Sequence, residues 1–339
     1  MSGLLEARDV SVVFGGGFGR REKRAVDGIS FGIGGERPRI VAIVGESGSG
    51  KTTLTRLLLG FQRPTAGSVR YRGTNLEAMN SREYRGFRKD VQAIFQDPFD
   101  VYNPFYKIDR VLLKPLLAFG LATDRADADR RIAEALSRVG LRPAETLGRY
   151  PHQLSGGQRQ RIMIARALLL KPRIILADEP VSMVDASLRA TILESLHRLK
   201  TELGISLVYV THDLTTAYQI ADEVVVLYGG RIVEAGDAEA VIRQPEHPYT
   251  RALVDAIPPP DPLLPWGRAE AAPRAGDGPA IADRGCAFAN RCPEALDLCR
   301  TAVPPLVETG AGRRTACHRR QPVAAPAPAP DPEPLGATP

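Results

Sequence analysis

A glycine-rich stretch at residues 45–52 has the residue types and spacing of a phosphate-binding loop. It matches the pattern G-x-x-x-x-G-K-[ST] and lies between a strand-like run and a helical pattern. Its glycines let the backbone direct N–H groups at phosphate oxygens, and the following helix presents its positive end. We predict that Lys51 contacts the β- and γ-phosphates and that the Thr52 hydroxyl binds Mg²⁺; an accidental glycine-rich turn is the alternative. The predicted phosphate-binding residues are Gly45, Glu46, Ser47, Gly48, Ser49, Gly50, Lys51, Thr52 and Thr53.

Two adjacent carboxylates follow an apolar run and have the chemistry to act on bound phosphates. The run Ile174–Ala177 predicts a strand that ends at Asp178 and Glu179. Adjacent strand residues point to opposite faces, so the two carboxylates have different tasks. Asp178 is suited to hold Mg²⁺ through its water shell, and Glu179 is suited to orient and polarise the water that attacks the γ-phosphate. A solvated or helix-capping pair is the alternative, and the upstream phosphate loop favours the catalytic interpretation.

The elements that would position these residues alternate between short β-branched runs and longer helical patterns. The predicted strands are Ile40–Val44, Val91–Phe95, Ile174–Ala177 and Ser206–Thr211. Continuous apolarity in the first and third predicts central strands covered on both faces. From Asp97 to about Arg161 the pattern becomes helical, with an amphipathic helix at Asp127–Val139. The fold prediction is an α/β domain with a largely parallel sheet and an inserted helical subdomain.

Composition and charge limit the possible classes of protein. The chain has 339 residues, and 45 Lys and Arg against 39 Asp and Glu give a net charge of +6, which is weak for binding to a nucleic-acid backbone. A hydrophobic content of 43% is typical of a globular protein. The best apolar stretch, Val111–Ala122, is interrupted by Lys114 and Pro115 and is too short to span a bilayer. The first ten residues are charged and lack the apolar core of a secretory signal, so we expect a cytosolic location.

A further set of motifs, in a fixed order, resembles those of ATP-binding-cassette (ABC) ATPases. Residues 154–158, called the signature loop below, are similar to the signature of that family, and their serine and glycines would form an anion-binding nest at a helix N-terminus. The motifs that carry the resemblance are Leu154-Ser155-Gly156-Gly157-Gln158, Gln96, Asp178 with Glu179, Ser182-Met183-Val184-Asp185, and Thr211-His212-Asp213. The resemblance implies a P-loop NTPase core of RecA-like fold that binds ATP with Mg²⁺. It also implies a dimer in which the signature loop of each chain caps the γ-phosphate bound by the other.

The same resemblance implies roles for individual residues. Gln96 would link the Mg²⁺ ion and the attacking water to the helical subdomain. His212 would contact the γ-phosphate, and Asp185 would lie at the dimer seam. The predicted catalytic residues are therefore Glu179, His212 and Gln96, and the predicted Mg²⁺ ligands are Thr52, Gln96 and Asp178.

Two positions leave the resemblance incomplete. ABC ATPases stack an aromatic side chain on adenine, and Phe14 is our candidate for that contact. Phe14 could equally belong to the core, because Val10, Val12 and Phe14 share one face of a predicted strand. The pair Met183-Val184 stands where the family usually has Ala-Leu, which concerns only the packing of the dimer seam.

A finer resemblance covers most of the chain. Residues 150–161, residues 177–182, the run His247-Pro248-Tyr249-Thr250 and the cysteine-bearing C-terminus are similar to the oligopeptide/dipeptide subfamily of importer ATPases, whose members also serve nickel, opines and some sugars. This resemblance implies two multi-span permease subunits, a second ABC ATPase chain in a heterodimer, and an extracytoplasmic substrate-binding protein as an indirect partner. It places the chain at the cytoplasmic face of the membrane, held there by the permease. Residues 97–99 and 103–104 resemble the segment that meets the permease, with a solvated turn as the alternative.

All four cysteines of the chain fall in its C-terminal part, at Cys286, Cys292, Cys299 and Cys317. Their spacing lacks the paired C-x₂-C knuckles of common zinc sites. Four thiolates can hold an iron–sulfur cluster or zinc, and the resemblance to peptide importers implies a [4Fe-4S] cluster. Zinc and free thiols are the alternatives.

Proline-rich segments divide the sequence into regions, because proline cannot continue a helix or a central strand. The predicted regions are a nucleotide-binding domain at 1–256 with a helical subdomain at about 97–161, a Pro-rich linker at 257–284, a cysteine-containing region at 285–320 and a disordered Ala/Pro tail at 321–339. The last region is a small extension added to the α/β core.

Two other functions compete with that of an ATP-hydrolysing subunit that energises an importer. One is a soluble ABC ATPase that acts on nucleic acid or ribosomes. Against it, no long coiled-coil insertion separates Lys51 from Ser155, and no second cassette follows. The other is a non-catalytic nucleotide-binding regulator, which is disfavoured because Glu179 is retained. We therefore expect membrane proteins as partners and no nucleic acid.

Overall fold

The computed structural model describes residues 3–15, 22–35, 37–97, 102–257, 285–310 and 312–320. Within these residues the chain forms two β-sheets flanked by α-helices. The strands are β1 (Leu5–Phe14), β2 (Lys23–Ile33), β3 (Ile40–Val44), β4 (Ala66–Tyr71), β5 (Thr74–Asn75), β6 (Val91–Ile94), β7 (Ile174–Asp178), β8 (Ser206–Thr211), β9 (Glu223–Tyr228), β10 (Arg231–Asp237), β11 (Val307–Gly310) and β12 (Arg313–Thr315). The helices are α1 (Lys51–Leu58), α2 (Ser81–Asp90), α3 (Ile108–Phe119), α4 (Arg125–Arg138), α5 (Pro143–Thr146), α6 (Gly156–Leu168), α7 (Ala186–Leu203), α8 (Leu214–Ile220), α9 (Ala238–Arg243), α10 (Pro248–Asp255) and α11 (Leu298–Thr301).

The main sheet has the strand order β11-β12-β10-β9-β3-β8-β7-β6. Its five strands from β9 to β6 run parallel to one another. Strand β3 lies inside this sheet and is buried along its whole length. Successive side chains of a strand point to opposite faces, and here Ile40, Ala42 and Val44 enter one hydrophobic core. Val41 and Ile43 enter the other core, so β3 is covered on both faces.

The four strands predicted from the sequence are confirmed as β3, β6, β7 and β8. Strands β3 and β8 have the predicted bounds, whereas β6 ends one residue early at Ile94 and β7 ends one residue late at Asp178. Strands β3 and β7 both lie inside the sheet, as their continuous apolarity predicts. The predicted α/β class with a largely parallel sheet is therefore confirmed.

A second, antiparallel sheet has the order β2-β1-β4-β5 and was not predicted. Strand β1 buries Leu5, Ala7, Val10 and Val12 against the core that also contains one face of β3. The register of β1 against β2 shifts between Ala7 and Val10 and again between Val10 and Val12. Between Ala7 and Val10 the buried apolar positions move from odd to even residue numbers, so the two-residue alternation that identifies a half-buried strand is interrupted.

The helical segment between β6 and β7 contains α3, α4, α5 and α6. Helix α4 begins two residues before the predicted Asp127, because Asp124 accepts a hydrogen bond from the Asp127 N–H at 2.8 Å and caps the helix. Its apolar face, with Ile132 and Leu136, packs into the larger core. Helix α6 extends past the predicted subdomain limit at 161 and ends at Leu168.

Residues 285–310 and 312–320, called the C-terminal module below, return to the main sheet. Strand β12 pairs with β10, with Thr315 opposite Glu234. The Glu234 side chain is fully buried, and its carboxylate accepts hydrogen bonds from the backbone N–H groups of Glu246 and His247, each at 3.0 Å. The same carboxylate accepts a bond from Arg313 Nε at 3.0 Å. This paired, hydrogen-bonded charge joins the module to the cassette core.

Two predicted regions fall largely or wholly outside the described residues. These are the linker at 257–284, of which only Ile257 is described, and the tail at 321–339. Among the described helices, none has both the length and the apolar content that a membrane crossing requires. Most of the apolar stretch that starts at Val111 belongs to helix α3, which buries Ile108, Leu112 and Leu116 in the protein core.

The buried His247 ring makes the stability of the fold dependent on pH. Its Nδ1 accepts a hydrogen bond from the Tyr249 N–H at 3.0 Å, and burial lowers the pKa of His247 to about 4. Histidine in an unfolded chain titrates near pH 6.5. Between about pH 6.5 and 4 the unfolded state binds more protons, so the stability contributed by the neutral ring is present above pH 6.5 and is lost as the pH falls.

We expect the free energy of unfolding to fall by about 2 kcal/mol more in the wild type than in His247→Asn when the pH is lowered from 7 to 5. Asparagine keeps an acceptor at the start of α10 but does not titrate. Urea unfolding of both proteins at the two pH values measures the difference. An equal loss in the two proteins would show that His247 is not responsible.

Candidate nucleotide-binding site

A cavity of about 750 Å³ lies at the carboxyl ends of the parallel strands. It brings together most of the phosphate loop and the residues that follow β6, β7 and β8. The described residues that line it are Phe14, Lys23, Ala25, Gly45, Glu46, Ser47, Gly48, Gly50, Lys51, Thr52, Thr53, Gln96, Glu179, His212 and Leu253. Two predicted site residues lie just outside this lining: Ser49 is buried beneath the loop, and Asp178 is hydrogen-bonded to Thr52.

The phosphate loop connects β3 to α1. At two of its positions a backbone carbonyl oxygen from another segment lies so close that only glycine fits. Gly45 and Gly50 have φ values of 153° and 105°, which are unfavourable for other residues. A Cβ atom on Gly45 would lie 2.3 Å from the Leu227 carbonyl oxygen, and one on Gly50 would lie 2.3 Å from the Ala25 carbonyl oxygen. The glycine pattern of the sequence therefore reflects backbone packing as well as access to phosphate.

The Lys51 ammonium group lies at the floor of the loop. Its Nζ donates hydrogen bonds to the carbonyl oxygens of Gly45 at 2.7 Å and Glu46 at 2.9 Å. Burial lowers the pKa of Lys51, and the carboxylates of Glu179, Asp178 and Glu46 oppose that effect. The positive charge is thus enclosed by the loop and faces the cavity where a phosphate group would lie.

The Glu179 carboxylate is held by one residue from each neighbouring strand end. Gln96 follows β6, and its Nε2 donates a hydrogen bond to Glu179 Oε2 at 2.8 Å. His212 follows β8, and its Nδ1 lies 3.0 Å from Glu179 Oε1. The Glu179 backbone has φ of 45°, a strained left-handed conformation, and its N–H donates to the Val210 carbonyl oxygen at 2.8 Å. In the structure, the predicted catalytic residues Gln96 and His212 therefore both contact the third one, Glu179.

Asp178 lies beside Glu179 but makes a different contact. Its carboxylate is hydrogen-bonded to the Thr52 side chain, and its pKa is raised by burial and by the neighbouring charge of Glu179. The predicted Mg²⁺ ligands Thr52, Asp178 and Gln96 offer hydroxyl, carboxylate and amide oxygens, which are the hard donors that Mg²⁺ prefers. This donor set fits a Mg²⁺ ion that completes its coordination with waters and substrate phosphates.

The signature loop lies outside this cavity. Ser155 caps α6 by accepting a hydrogen bond from the Gln158 N–H at 3.2 Å, and Gln158 Oε1 accepts one from the Ser155 N–H at 2.9 Å. A Cβ atom on Gly157 would come within 2.6 Å of Leu188, so the loop packs directly on the start of α7. Asp185 caps α7 by accepting a bond from the Leu188 N–H at 3.0 Å. Neither residues 154–158 nor Asp185 are among the described residues that line the cavity.

The aromatic candidate Phe14 lines the cavity and is 47% exposed. Its strand neighbours Val10 and Val12 are buried, so the structure separates Phe14 from the core with which it could have packed. Lys23 and Leu253 also line the cavity and were not predicted. Lys23 is opposite Phe14 in the β1–β2 register, and Leu253 comes from α10. Neither residue belongs to a recognisable sequence motif, and the pairing of β1 with β2 that places Lys23 beside Phe14 was not predicted.

The four cysteines lie in one module as free thiols. The pKa of Cys286 is raised to about 11, mainly by burial and in addition by the neighbouring thiols of Cys299, Cys292 and Cys317. Among the residues that the structure describes, however, no three Cys, His, Asp or Glu side chains form a group able to hold a metal ion. In the described residues the four thiols therefore do not form a metal site.

Two domain families match the chain. The ABC transporter family matches residues 26–182, which include the phosphate loop, the signature loop and the strand-end carboxylates. The family described as the C-terminal region of oligopeptide/dipeptide transporters matches residues 233–299, from β10 into the cysteine-bearing module.

Curated relatives match over most of their length. A protein of Brucella ovis named "Putative peptide import ATP-binding protein" is 44% identical over 298 residues, which cover 87% of this chain and 92% of the relative. The dipeptide transport ATP-binding protein DppF of Haemophilus influenzae is 42% identical over 301 residues, which cover 88% of this chain and 89% of DppF.

Solved structures show the same fold. The ATP-binding cassette MJ0796, in a dimeric post-hydrolysis state with ADP and phosphate, has a TM-score of 0.62 and 28% identity, and the match covers 69% of this chain and 98% of MJ0796. The cbiO1 subunit of Clostridium perfringens has a TM-score of 0.60 over 72% of this chain and 92% of cbiO1. The predicted P-loop NTPase fold is thereby confirmed. The chain belongs to the ATP-binding subunits of ABC transporters, in the group that carries the oligopeptide/dipeptide C-terminal region.

Proposed function

We propose that this chain binds ATP with Mg²⁺ and hydrolyses it to energise the import of oligopeptides, dipeptides or related solutes. The observation that carries the proposal is the Glu179 carboxylate, held between Gln96 and His212 in the cavity that also contains the phosphate loop. Membership of the ABC ATPases and the names of the peptide and dipeptide transport relatives support it.

The phosphate loop would hold the triphosphate. Gly50, Lys51, Thr52 and Thr53 at the start of α1 line the cavity, so the N–H groups of this helix end would be available to the phosphates. Lys51 would transfer its hydrogen bonds from the loop carbonyl oxygens to the β- and γ-phosphates. Phe14 would stack on adenine at the exposed end of β1, where an aromatic face is free.

Hydrolysis would depend on Glu179 as the acceptor of a proton from the attacking water. Gln96 and His212 fix the two carboxylate oxygens, so the carboxylate is oriented before substrate enters. A bound Mg²⁺ ion would supply charge neutralisation for the phosphates, held by Thr52, Asp178 and Gln96. His212 lies in the same cavity and would contact the γ-phosphate.

The position of the signature loop supports action on a second subunit. Ser155 and the N–H groups that follow it lie outside the cavity of their own chain, at the N-terminus of a 13-residue helix. The dimeric state of MJ0796 supports the same arrangement. In the proposed dimer, residues 154–158 of each chain cap the nucleotide of the other, and Asp185 lies at the seam. The partner would be a second, different ABC ATPase chain.

The transport complex would contain this ATPase pair, two multi-span permease subunits and, on the outer side, a substrate-binding protein. The chain would lie at the cytoplasmic face of the membrane through its contact with the permease. Part of the segment proposed for that contact, 98–101, is outside the described residues. The similarity of the C-terminal region to oligopeptide/dipeptide transporters favours this function over the alternative of a soluble ATPase for nucleic acid or ribosomes.

Glu179→Gln should lower the ATP hydrolysis rate about 10²- to 10⁴-fold while ATP binding is kept, because a positioned base contributes about that factor.

Lys51→Ala should instead lose ATP affinity, because the loop loses the charge that faces the phosphates. Phosphate release and binding of a fluorescent ATP analogue measure the two properties separately. Near wild-type turnover in Glu179→Gln would contradict the role of Glu179 as base.

The partners are tested by affinity purification of the chain from gently solubilised membranes of its native host, followed by mass spectrometry. We expect two multi-span proteins and a second ABC ATPase chain in comparable amounts. In the presence of ATP, Glu179→Gln should stabilise the dimer in which each signature loop caps the nucleotide of the other chain. It should also retain these partners. Ribosomal proteins or nucleic acid, without any membrane protein, would favour the alternative function.

No step of the proposed reaction passes through the cysteines, because ATP hydrolysis needs no electrons. A [4Fe-4S] cluster on Cys286, Cys292, Cys299 and Cys317 would require the segments that carry them, including the short helix α11 with Cys299, to rearrange. Anaerobic purification with iron and acid-labile sulfide analysis tests it, and the prediction is iron and sulfide in equal amounts. Zinc alone or four titratable thiols would support one of the two alternatives and remove the cluster.

A further inference from the structure

The second residue of the phosphate loop is held from outside the loop by two residues of the chain's C-terminal part. Arg291 of the C-terminal module donates from both terminal nitrogens to the Glu46 carboxylate, at 2.9 Å to Oε2 and 3.0 Å to Oε1. The Glu46 backbone N–H donates to the Tyr249 hydroxyl at 2.8 Å. Both the side chain and the main chain of Glu46 are therefore fixed by residues more than 200 positions away.

The guanidinium group of Arg291 is itself held in place by aromatic rings. It lies 5.5 Å from the Phe288 ring centroid and 5.9 Å from that of Tyr228. These two rings pack edge to face at 5.3 Å, and Tyr249 packs against both, at 4.4 Å from Tyr228 and 5.4 Å from Phe288. Because Phe288 and Tyr249 are almost fully buried, the cluster leaves Arg291 little freedom to leave Glu46.

Glu46 needs a counter-charge if the loop is to bind a polyanion. It lines the cavity, where its carboxylate would lie close to the phosphates of ATP and repel them. Arg291 supplies that charge through a planar, two-bonded pair, a geometry that a lysine could not reproduce. The hydrogen bonds to Glu46 raise the pKa of Arg291, so the positive charge is permanent.

The position of Arg291 depends on how the module is joined to the cassette core. Strand β12 fixes one side of the module through Glu234 and Arg313. A separate ion pair at 2.6 Å, between Arg251 of α10 and Glu294 of the module, is a further contact with the core that includes neither Arg291 nor Glu46. The module therefore contacts the phosphate loop through the Arg291–Glu46 pair. It contacts the core through Arg313–Glu234 and Glu294–Arg251.

We propose that Arg291 is a positioning residue through which the C-terminal module sets the ATP affinity of the phosphate loop. By neutralising and orienting Glu46, it keeps the loop in a form that accepts the triphosphate. The module thus regulates the same site as the proposed ATPase function, on which this inference rests. It does so without contributing a group to the reacting atoms.

The test is a double-mutant cycle on the full-length chain, with Mg²⁺ and ATP as the ligand. Arg291→Ala should raise the Kd and the KM for ATP about 10-fold, within the range typical of coupling between sites, because the Glu46 charge is left unpaired. The kcat at saturating ATP should change less than about 2-fold, because Gln96, Glu179 and His212 keep their contacts. Adding Glu46→Gln to Arg291→Ala should return the affinity to that of Glu46→Gln alone.

Glu294→Gln is the matched control. It removes another module-to-core ion pair, the one with Arg251, at a place that does not touch the phosphate loop. We expect an unchanged Kd for ATP in this variant. Arg291→Lys keeps the charge but not the two-bonded geometry, and its Kd should lie between those of the wild type and Arg291→Ala. Circular dichroism and thermal unfolding establish that each variant is folded.

Two outcomes would overturn the inference. One is an Arg291→Ala variant that binds ATP as the wild type does. The other is a loss of affinity that Glu46→Gln fails to suppress, or that Glu294→Gln reproduces, because this would show a general loosening of the module. If the wild type itself bound no ATP, the proposed function would fail before this inference was tested.

Discussion

The nucleotide site depends on the alignment of parallel strand ends along one edge of the main sheet. Val44 lies opposite Thr211, Asp178 opposite Val210, and Ala177 opposite Ile94 in the strand register. These pairings bring the phosphate loop, the carboxylate pair, His212 and Gln96 to the same edge of the sheet, although Gly45 and His212 are 167 positions apart in the chain. Ligand sites of open α/β sheets lie at this edge for the same reason.

The alignment alone does not orient the proposed catalytic carboxylate. Glu179 has a left-handed backbone that costs a non-glycine residue about 1–3 kcal/mol, and the surrounding structure has to hold it. Its carbonyl oxygen accepts hydrogen bonds from the Ser182 hydroxyl at 3.0 Å and the Ser182 N–H at 3.2 Å. The motif after the carboxylates therefore supports the turn that directs Glu179 toward Gln96 and His212.

The C-terminal module lies outside the part of the fold that ABC ATPases share, and it adds further contacts to the sheet and to the phosphate loop. It adds two antiparallel strands to the main sheet and places a charged pair on the phosphate loop. Three donors to the buried Glu234 carboxylate, one of them Arg313 of the module, and two aromatic rings against Arg291 fix its position. The four cysteines of this region predict metal chemistry from the sequence, whereas no local pattern indicates the pairing of Arg291 with Glu46.

The sequence by itself determined the α/β class, four strands of the parallel sheet, the phosphate loop and the carboxylate pair, because local patterns record burial and phosphate-loop geometry. Gln96 and His212 were predicted from the resemblance to ABC ATPases. It predicted neither the antiparallel sheet, whose bulges interrupt the alternation along β1, nor the contacts of Lys23 and Leu253 with the cavity. The pairing of Arg291 with Glu46 joins positions 245 residues apart. Such contacts come from packing between distant segments, so only the tertiary structure decided them.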